Sequence, residues 1–163
     1  MSVSGHEKPN KGATDNWYTP INIIRALGDF DLDPCGKQYH RTARTIYEVR
    51  GLQSNWFGRV WLNPPYSEVE QWLEKLVSHG RGIALVFARL DTKWAQRIVP
   101  QATEVFLPKG RLRFLTENLE CRGNAGGPSM FLAFGETVNW GNVSEGIAFC
   151  PREIKQVAQE VSE

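Results

Sequence analysis

The chain has 163 residues, of which 41% are hydrophobic and 23% are charged, and its formal net charge is +1. This length supports one domain with a single core, and the composition is ordinary for a soluble globular protein. The near-zero net charge excludes a global basic field, so any nucleic-acid site must come from local clusters of basic residues. No apolar run approaches the roughly 20 residues of a membrane span, and the polar N-terminus lacks a signal-peptide core. We therefore expect no association with membranes.

The cysteines and histidines are few and scattered. Cys35, Cys121 and Cys150 lie far apart in the sequence and form no CxxC or Cys/His ligand pattern. This spacing favours reduced thiols over disulfides, and it gives no support to a metal site. A cytoplasmic protein without a bound metal is the expectation.

The hydrophobic pattern divides the chain into alternating strands and helices. Residues 1–14, rich in Ser, Gly, Lys and Asn, are expected to form a flexible N-terminal segment. Apolar runs predict strands at residues 29–33, 45–49, 60–62, 83–87, 104–107 and 129–134. Helical spacing predicts helices at residues 19–28, 68–79, 92–99 and 151–162.

This alternation predicts an α/β fold with a mostly parallel central sheet and helices on both faces. Residues 83–87 are a continuous apolar run, which is typical of a fully buried parallel strand. One folded domain is expected over residues 15–150, with a basic, glycine-rich loop at residues 108–128. A C-terminal helix or tail is expected over residues 151–163.

The most informative turn is Asn63-Pro64-Pro65-Tyr66, which follows the predicted strand at residues 60–62. Because proline lacks an N–H and has a fixed φ, this backbone is stiff and its carbonyls have few internal partners. The Asn63 side-chain oxygen and the Pro64 carbonyl can both accept hydrogen bonds beside the Tyr66 ring. Two acceptors next to a ring suit a planar group that carries an NH2, such as the exocyclic amine of a nucleobase. An ordinary proline turn is the alternative.

A second unusual turn, Asp33-Pro34-Cys35-Gly36, ends the predicted strand at residues 29–33. The carboxyl ends of parallel strands lie at one edge of the sheet, and ligands bind at that edge. Two such turns therefore predict a ligand site there. No Gly-x-Gly-x-x-Gly follows any strand, which makes a nicotinamide dehydrogenase a weak alternative.

The order of several short motifs resembles that of the small phage-type, Dam-like DNA N6-adenine methyltransferases. Residues 63–66 match the (N/D/S)PP(Y/F/W) motif of amino-methyltransferases that use S-adenosylmethionine, in the form common in N6-adenine enzymes. The accompanying motifs are Trp17-Tyr18-Thr19-Pro20, Phe30-Asp31-Leu32-Asp33-Pro34-Cys35, Trp56, Asp91-Thr92-Lys93-Trp94, Gly110-Arg111-Leu112-Arg113-Phe114 and Pro128-Ser129-Met130. The resemblance covers residues 14–135. It implies a Rossmann-like, S-adenosylmethionine-dependent methyltransferase domain encoded by a phage or prophage.

The resemblance also implies the site residues. The catalytic turn would consist of Asn63, Pro64, Pro65 and Tyr66. The cofactor-binding residues would be Trp17, Thr19, Pro20, Asp33, Pro34, Cys35, Glu48, Gln53 and Asn63. Asp33 would lie near the cofactor ammonium and Glu48 near its ribose.

Some of these residues have simpler alternatives. Thr19 followed by Pro20 is also a complete helix start, with Thr19 as the N-cap and proline at the first helical position. Trp17 is also a candidate core residue, and Asp33 a candidate turn residue. Asp91 is expected to cap the helix at residues 92–99 rather than to act as a base.

One stretch departs from the family pattern. Residues 50–55 lack the carboxylate with which family members often bind the adenine amine of the cofactor. Gln53 or Ser54 would have to make that hydrogen bond instead.

Basic residues near the predicted edge are the candidates for DNA binding. They are Lys109, Arg111, Arg113 and Arg122 in the loop at residues 108–128, Lys37 and Arg41 after the first turn, and Arg89. Such side chains can contact phosphates and base edges, although a solvated charged loop is the alternative. A chain of this length has no room for a large recognition domain, so we expect a short site in double-stranded DNA. A monomer or weak dimer is expected.

The expected reaction transfers a methyl group to the N6 amine of an adenine that has been flipped out of the duplex. The same turn serves N4-cytosine, RNA and protein-glutamine methyltransferases, because each substrate presents an NH2 on a planar carbon. A catalytically silent DNA-binding protein with the same fold is an alternative of another class.

Overall fold

The computed structural model describes residues 17–153. Its helices are α1 (Ile21–Leu27), α2 (Val69–His79) and α3 (Lys93–Ile98). Its strands are β1 (Leu32–Asp33), β2 (Thr45–Ile46), β3 (Val60–Leu62), β4 (Gly82–Phe87), β5 (Glu104–Pro108), β6 (Arg113–Leu115), β7 (Cys121–Asn124), β8 (Ser129–Phe134) and β9 (Gly146–Phe149). Short 3-10 helices lie at Tyr66–Glu68, Val99–Gln101 and Trp140–Asn142. No helix in this part of the chain is long and apolar enough to cross a membrane.

Seven of these strands form one mixed sheet in the order β2-β1-β3-β4-β8-β5-β9. The pairings among β2, β1, β3 and β4 are parallel, whereas β8 runs antiparallel to both β4 and β5, and β9 antiparallel to β5. The prediction of a mostly parallel sheet is therefore wrong. A continuous apolar run is compatible with parallel and with antiparallel pairing. The apolar pattern does not show that β8 lies between β4 and β5 and runs antiparallel to both.

The sheet is covered on both faces. Alternate residues of β4 enter different layers, because successive side chains of a strand point to opposite faces. Ala84 and Val86 pack in a cluster with Leu73 and Leu76 of α2 and with Ile98 of α3. On the other face, Ile83 and Leu85 pack in a cluster with Ile23, Ile24 and Leu27 of α1. The expected α/β layering with helices on both faces is present.

Residues 108–128 do not form the loop that their composition predicts. β6 and β7 pair there as an antiparallel hairpin. Phe114 is fully buried and joins the cluster on the α1 face, together with Ala125. One aromatic side chain therefore anchors a segment whose glycines and basic residues indicate a loop. β9 was not predicted either.

Both predicted helix caps are wrong. α1 has Pro20 at its N-cap position and no side-chain cap, so Thr19 does not cap it. α3 is capped by Thr92, whose side chain accepts from the Ala95 N–H, while Asp91 is exposed. The flexible segment expected at residues 1–14 and most of the helix expected at residues 151–162 fall outside the described residues.

The parallel half of the sheet places both unusual turns at one edge. The chain runs from β1 outward to β2, then crosses back to β3 on the other side of β1. The strand order therefore reverses between β1 and β3. Residues 33–36 follow β1 and residues 63–66 follow β3, so both turns flank the crevice that this reversal creates. Such a crevice is the usual ligand position in open α/β sheets.

Candidate active site

A cleft that is partly open to solvent lies at the reversal point. Its walls come from the segment before α1, from the two turns, and from residues 37–42. The lining residues are Trp17, Tyr18, Thr19, Asp33, Cys35, Gly36, Lys37, His40, Thr42, Trp61, Asn63 and Pro65. Five of the residues predicted to bind the cofactor, Trp17, Thr19, Asp33, Cys35 and Asn63, therefore meet in this cleft.

Asp33 supplies a buried carboxylate to the cleft, with 4% of its surface exposed. Its Oδ1 accepts from the Cys35 N–H at 3.1 Å, and its Oδ2 accepts from the Thr42 hydroxyl. Burial raises the pKa of Asp33 to about 6, although these hydrogen bonds oppose the shift. The loss of hydration on burial therefore raises the pKa more than the hydrogen bonds from Thr42 and Cys35 lower it. None of the ion pairs among residues 17–153 includes this carboxylate, and a positively charged ligand group would supply a partner.

The backbone at Gly36 lies close to the Asp33 side chain, and the backbone at Gly51 lies close to the Pro34 carbonyl oxygen. A Cβ built on Gly36 would lie 2.6 Å from the Asp33 Oδ2, and one built on Gly51 would lie 1.7 Å from the Pro34 carbonyl oxygen. Both positions therefore require glycine. Residues 50–51 press directly against the turn after β1, which fixes the position of that turn.

The side chain of Asn63 has a defined orientation. Its Nδ2 donates to the Trp17 carbonyl oxygen and, at 3.1 Å, to the Thr19 Oγ1. Because the Trp17 carbonyl can only accept, the NH2 group must point toward it, and the Oδ1 must point away. Both amide hydrogens are thus engaged within the protein, and the Oδ1 is the atom that can accept from a ligand.

Cys35 ties the two turns together. Its thiol donates to the Asn63 carbonyl oxygen at 3.4 Å. Burial, and next to it the Asp33 carboxylate, raise the pKa of the Cys35 thiol well above its usual range. The thiol is therefore protonated and acts as a hydrogen-bond donor rather than as a nucleophile.

Tyr66 stacks on a neighbouring aromatic ring at the other end of the proline turn. The centroids of the Tyr66 and Phe87 rings are 4.2 Å apart and the planes differ by 8°. These two residues line a second hollow with Val69, Arg89 and Trp94. The turn at residues 63–66 thus borders two hollows, with Asn63 facing the first and Tyr66 the second.

Four of the predicted cofactor-binding residues do not line the cleft. Pro20 occupies the N-cap position of α1, and Pro34 is a buried residue of the turn at residues 33–36. The exposed Glu48 accepts from the Gln38 N–H at 3.1 Å, through its Oε1. Gln53 is exposed in the segment at residues 50–55, which Lys75 holds by donating to the Leu52 and Ser54 carbonyls.

Three of the predicted DNA-binding residues border three different hollows. Lys37 lines the cleft itself, and Arg89 lines the second hollow. Arg41 borders a separate hollow beside α1, together with Arg25 and Arg44. Arg122 lies on β7.

The remaining three basic residues belong to the hairpin region. Lys109 forms an exposed ion pair with Glu145 at 2.6 Å. Arg111 donates to the Ala125 carbonyl at 3.2 Å, so it has a structural contact within the hairpin. Arg113 is exposed on β6.

Two site residues were missed by sequence reasoning. Thr42 donates to Asp33, and the His40 Nε2–H donates to the Thr19 carbonyl at 2.8 Å. Burial lowers the pKa of His40, which favours its neutral form. No local signal in the sequence marks His40 and Thr42, because they lie in a stretch of turns and bends beside the exposed Arg41 and Arg44. Among residues 17–153, no cluster of three or more His, Cys, Asp or Glu side chains is arranged to hold a metal.

The fold and the site define an α/β protein with a cleft at the carboxyl ends of parallel strands, beside a proline turn that begins at Asn63. A comparison with protein families identifies the family: the model for DNA N-6-adenine-methyltransferase (Dam) matches residues 6–152. The chain belongs to this family, as its motifs predict.

One similar relative is the DNA N-6-adenine-methyltransferase of Escherichia phage T1. The two sequences are 29% identical over an alignment of 159 positions, and the match covers 87% of this chain and 64% of the relative. The chain therefore spans less than two thirds of the length of that relative. No solved structure matches the chain.

Proposed function

We propose that the protein transfers a methyl group from S-adenosylmethionine to the N6 amine of adenine in DNA. The observation that carries this proposal is the orientation of Asn63, whose NH2 group is engaged by Trp17 and Thr19 so that its Oδ1 can accept from a ligand. An oxygen acceptor of this kind can take a hydrogen bond from the amine of a substrate. Family membership supports adenine as the base and DNA as the polymer.

The residues of the cleft fit S-adenosylmethionine. Burial raises the pKa of Asp33, whose carboxylate has no ion-pair partner within residues 17–153, and the ammonium group of the cofactor would provide one. The glycines at positions 36 and 51 keep backbone and carboxylate close to the cleft, where side chains would block them. When bound, the cofactor supplies an activated methyl group on a sulfonium, so the protein needs to orient the acceptor amine rather than to form a covalent bond.

The strand order supports the finer assignment to a Rossmann-like methyltransferase fold. Four neighbouring parallel strands, β2-β1-β3-β4, contain the order reversal at which nucleotide-type ligands bind. The antiparallel half, β8-β5-β9, extends the sheet away from the cleft and contributes to the core on both faces.

The protein's own groups act on the amine in three ways. Asn63 Oδ1 and the Pro64 carbonyl accept the two N6 hydrogens, which favours a more tetrahedral and more nucleophilic nitrogen. The same acceptors stabilise the positive charge that develops as the methyl group arrives. Holding the nitrogen in line with the transferred group adds catalysis by orientation.

Tyr66 and the basic residues serve the DNA. We assign the Tyr66 ring to stacking against the flipped adenine, with Phe87 supporting its opposite face. Flipping costs a few kcal/mol, which contacts to the duplex must offset. Arg89 and the exposed Arg113 on the hairpin are our candidates for phosphate contacts. The substrate is double-stranded DNA in a bacterial cytoplasm, as expected for a phage- or prophage-encoded enzyme.

The test is incubation with tritiated S-adenosylmethionine and unmethylated plasmid DNA, followed by nucleoside digestion and chromatography. Label in N6-methyladenine is the expected result. Label in N4-methylcytosine would support the proposed methylation of an amine but would show that the target base is cytosine rather than adenine. Cofactor binding without labelled DNA would redirect the proposal to RNA or protein substrates, and absence of cofactor binding would favour a catalytically silent DNA-binding protein.

Asn63→Ala separates the acceptor role from cofactor binding. We expect methyl transfer to fall by about 100-fold or more, because one of the two acceptors aimed at the reacting amine is lost. The affinity for S-adenosylmethionine, measured by calorimetry, should change by less than threefold. An equal loss of cofactor affinity would move Asn63 from the reacting amine to the cofactor.

A further inference from the structure

The segment Trp17–Thr19 lies between the hairpin and the proline turn and contacts both. On one side, Tyr18 pairs with Leu115 of β6 in an isolated antiparallel bridge. The two backbone hydrogen bonds are Tyr18 N–H to the Leu115 oxygen at 3.3 Å and Leu115 N–H to the Tyr18 oxygen at 2.8 Å. The segment is thus an additional strand-like edge on the hairpin.

On its other side, the same segment holds the amide of Asn63. The residues before and after Tyr18 point to the opposite side of the extended backbone, as expected from strand alternation. The Trp17 carbonyl and the Thr19 hydroxyl oxygen each accept one hydrogen of the Asn63 NH2 group. Two acceptors define the rotation of the amide about its last torsion, which is otherwise broad.

The Thr19 hydroxyl is well placed for this role. Thr19 is 1% exposed, and the buried His40 fixes its backbone by donating from Nε2 to the Thr19 carbonyl at 2.8 Å. The hydroxyl does not cap α1, because that helix has no side-chain cap. Its described contact is therefore with Asn63 rather than with its own helix.

We infer that Thr19 is a positioning residue that acts on the substrate amine through Asn63, and that the segment Trp17–Thr19 links the basic hairpin to the acceptor. This role differs from cofactor binding, the role that the family motif implies for Thr19. The inference deepens the proposed function, on which it rests for the part that Asn63 plays. Without the Thr19 hydroxyl, only the Trp17 carbonyl holds the NH2 group, so the orientation of the amide and of its Oδ1 is less tightly defined.

The kinetic test compares Thr19→Val with Thr19→Ser. Valine keeps the shape and removes the acceptor, so kcat should fall by about tenfold, which corresponds to one lost hydrogen bond. The dissociation constant for S-adenosylmethionine should stay within twofold. Serine restores the oxygen and should recover most of kcat. A rise in that dissociation constant that accounts for the whole loss, or an unchanged kcat in the valine variant, would overturn the inference.

Thr103→Val is the matched control. It removes a hydroxyl that accepts from the Gly135 N–H at 2.9 Å, at the amino end of β5 and therefore at the opposite edge of the sheet. Its kcat should equal that of the wild type. Circular dichroism and thermal unfolding of each variant establish that the folded state is retained.

A spectroscopic measurement tests the geometry without reference to activity. The side-chain amide signals of Asn63, assigned by their disappearance in Asn63→Asp, should show slow hydrogen exchange in the wild type and faster exchange in Thr19→Val. Identical exchange in both proteins would refute the contact. If the wild type methylated no DNA while this difference was observed, the proposed substrate would be wrong and the positioning of Asn63 would stand.

Discussion

Replacing Asp33 by Asn should make the protein more stable at neutral pH and weaken its binding of S-adenosylmethionine. Burial raises the pKa of this carboxyl to about 6 from a reference value of 3.8. The corresponding free energy is about 3 kcal/mol, which is the cost of keeping the ionised side chain in the folded cleft. Asparagine carries no charge, and its Oδ1 can still accept from the Cys35 N–H.

The sign of the pH dependence follows from the raised pKa. The folded state of the wild type binds the Asp33 proton more tightly than the unfolded state does. Its contribution to stability is therefore fully present below pH 3.8 and is lost as the pH rises through about 6. Roughly 1.4 kcal/mol of this loss falls between pH 5 and pH 8. The Asn variant lacks this loss, so its stability relative to the wild type should increase over that interval.

Urea unfolding at pH 5, 6, 7 and 8 measures this difference, because other titrating groups cancel when the two proteins are compared at each pH. Calorimetry at pH 7.5 measures the second part, and we expect at least a tenfold weaker affinity of the variant for S-adenosylmethionine. A stability difference that does not change between pH 5 and pH 8 would refute the burial argument. An unchanged affinity would remove Asp33 from the cofactor site while leaving that argument intact.

Three further changes test the supporting structure. Gly51→Ala should destabilise the protein and weaken cofactor binding together, because the new Cβ would lie 1.7 Å from the Pro34 carbonyl oxygen; normal binding would show that this approach is dispensable. Phe114→Ala should lower the free energy of unfolding by about 3–5 kcal/mol, since the fully buried ring anchors the hairpin, and a loss below 1 kcal/mol in urea would contradict that role. Arg113→Ala should weaken DNA binding and reduce the slope of log affinity against log salt by about one. Arg81→Ala, an exposed change just before β4 at the opposite edge of the sheet, should leave that slope unaltered, and equal effects of the two changes would indicate a nonspecific loss of charge.

The sequence was sufficient to predict elements whose apolar residues form a continuous run or recur at helical spacing. The strands at residues 60–62 and 129–134 and the helix α2 match their predicted bounds closely, because their patterns depend on burial alone. The hairpin could not be predicted in the same way. Its basic and glycine-rich composition is that of a loop, and only the packing of Phe114 against the α1 face makes it an ordered element.

Parts of the candidate site could be predicted where the local sequence is unusual for an ordinary turn. The sequence singled out the proline turn and Asp33, because two prolines after an amide and an acidic turn at a strand end are unusual, and the structure places Asn63 and Asp33 in one cleft. Thr19 was assigned to cofactor binding, with a helix cap as the alternative, since the local pattern is complete without any distant partner. Its actual contact joins residues 44 positions apart in the sequence, and no local pattern encodes that pairing.

The unequal lengths of the strands have a consequence for the dynamics of the cleft. β1 and β2 contribute two residues each, whereas β4 and β8 pair over six residues in the centre of the sheet. Local opening requires less free energy where few hydrogen bonds must break, so the cleft is built on the more labile half of the sheet. A ligand that spans the turns after β1 and β3 would fasten these short strands to each other. Its binding should slow amide exchange in residues 32–36 and 60–66 and leave the already protected amides of β4 and β8 nearly unchanged.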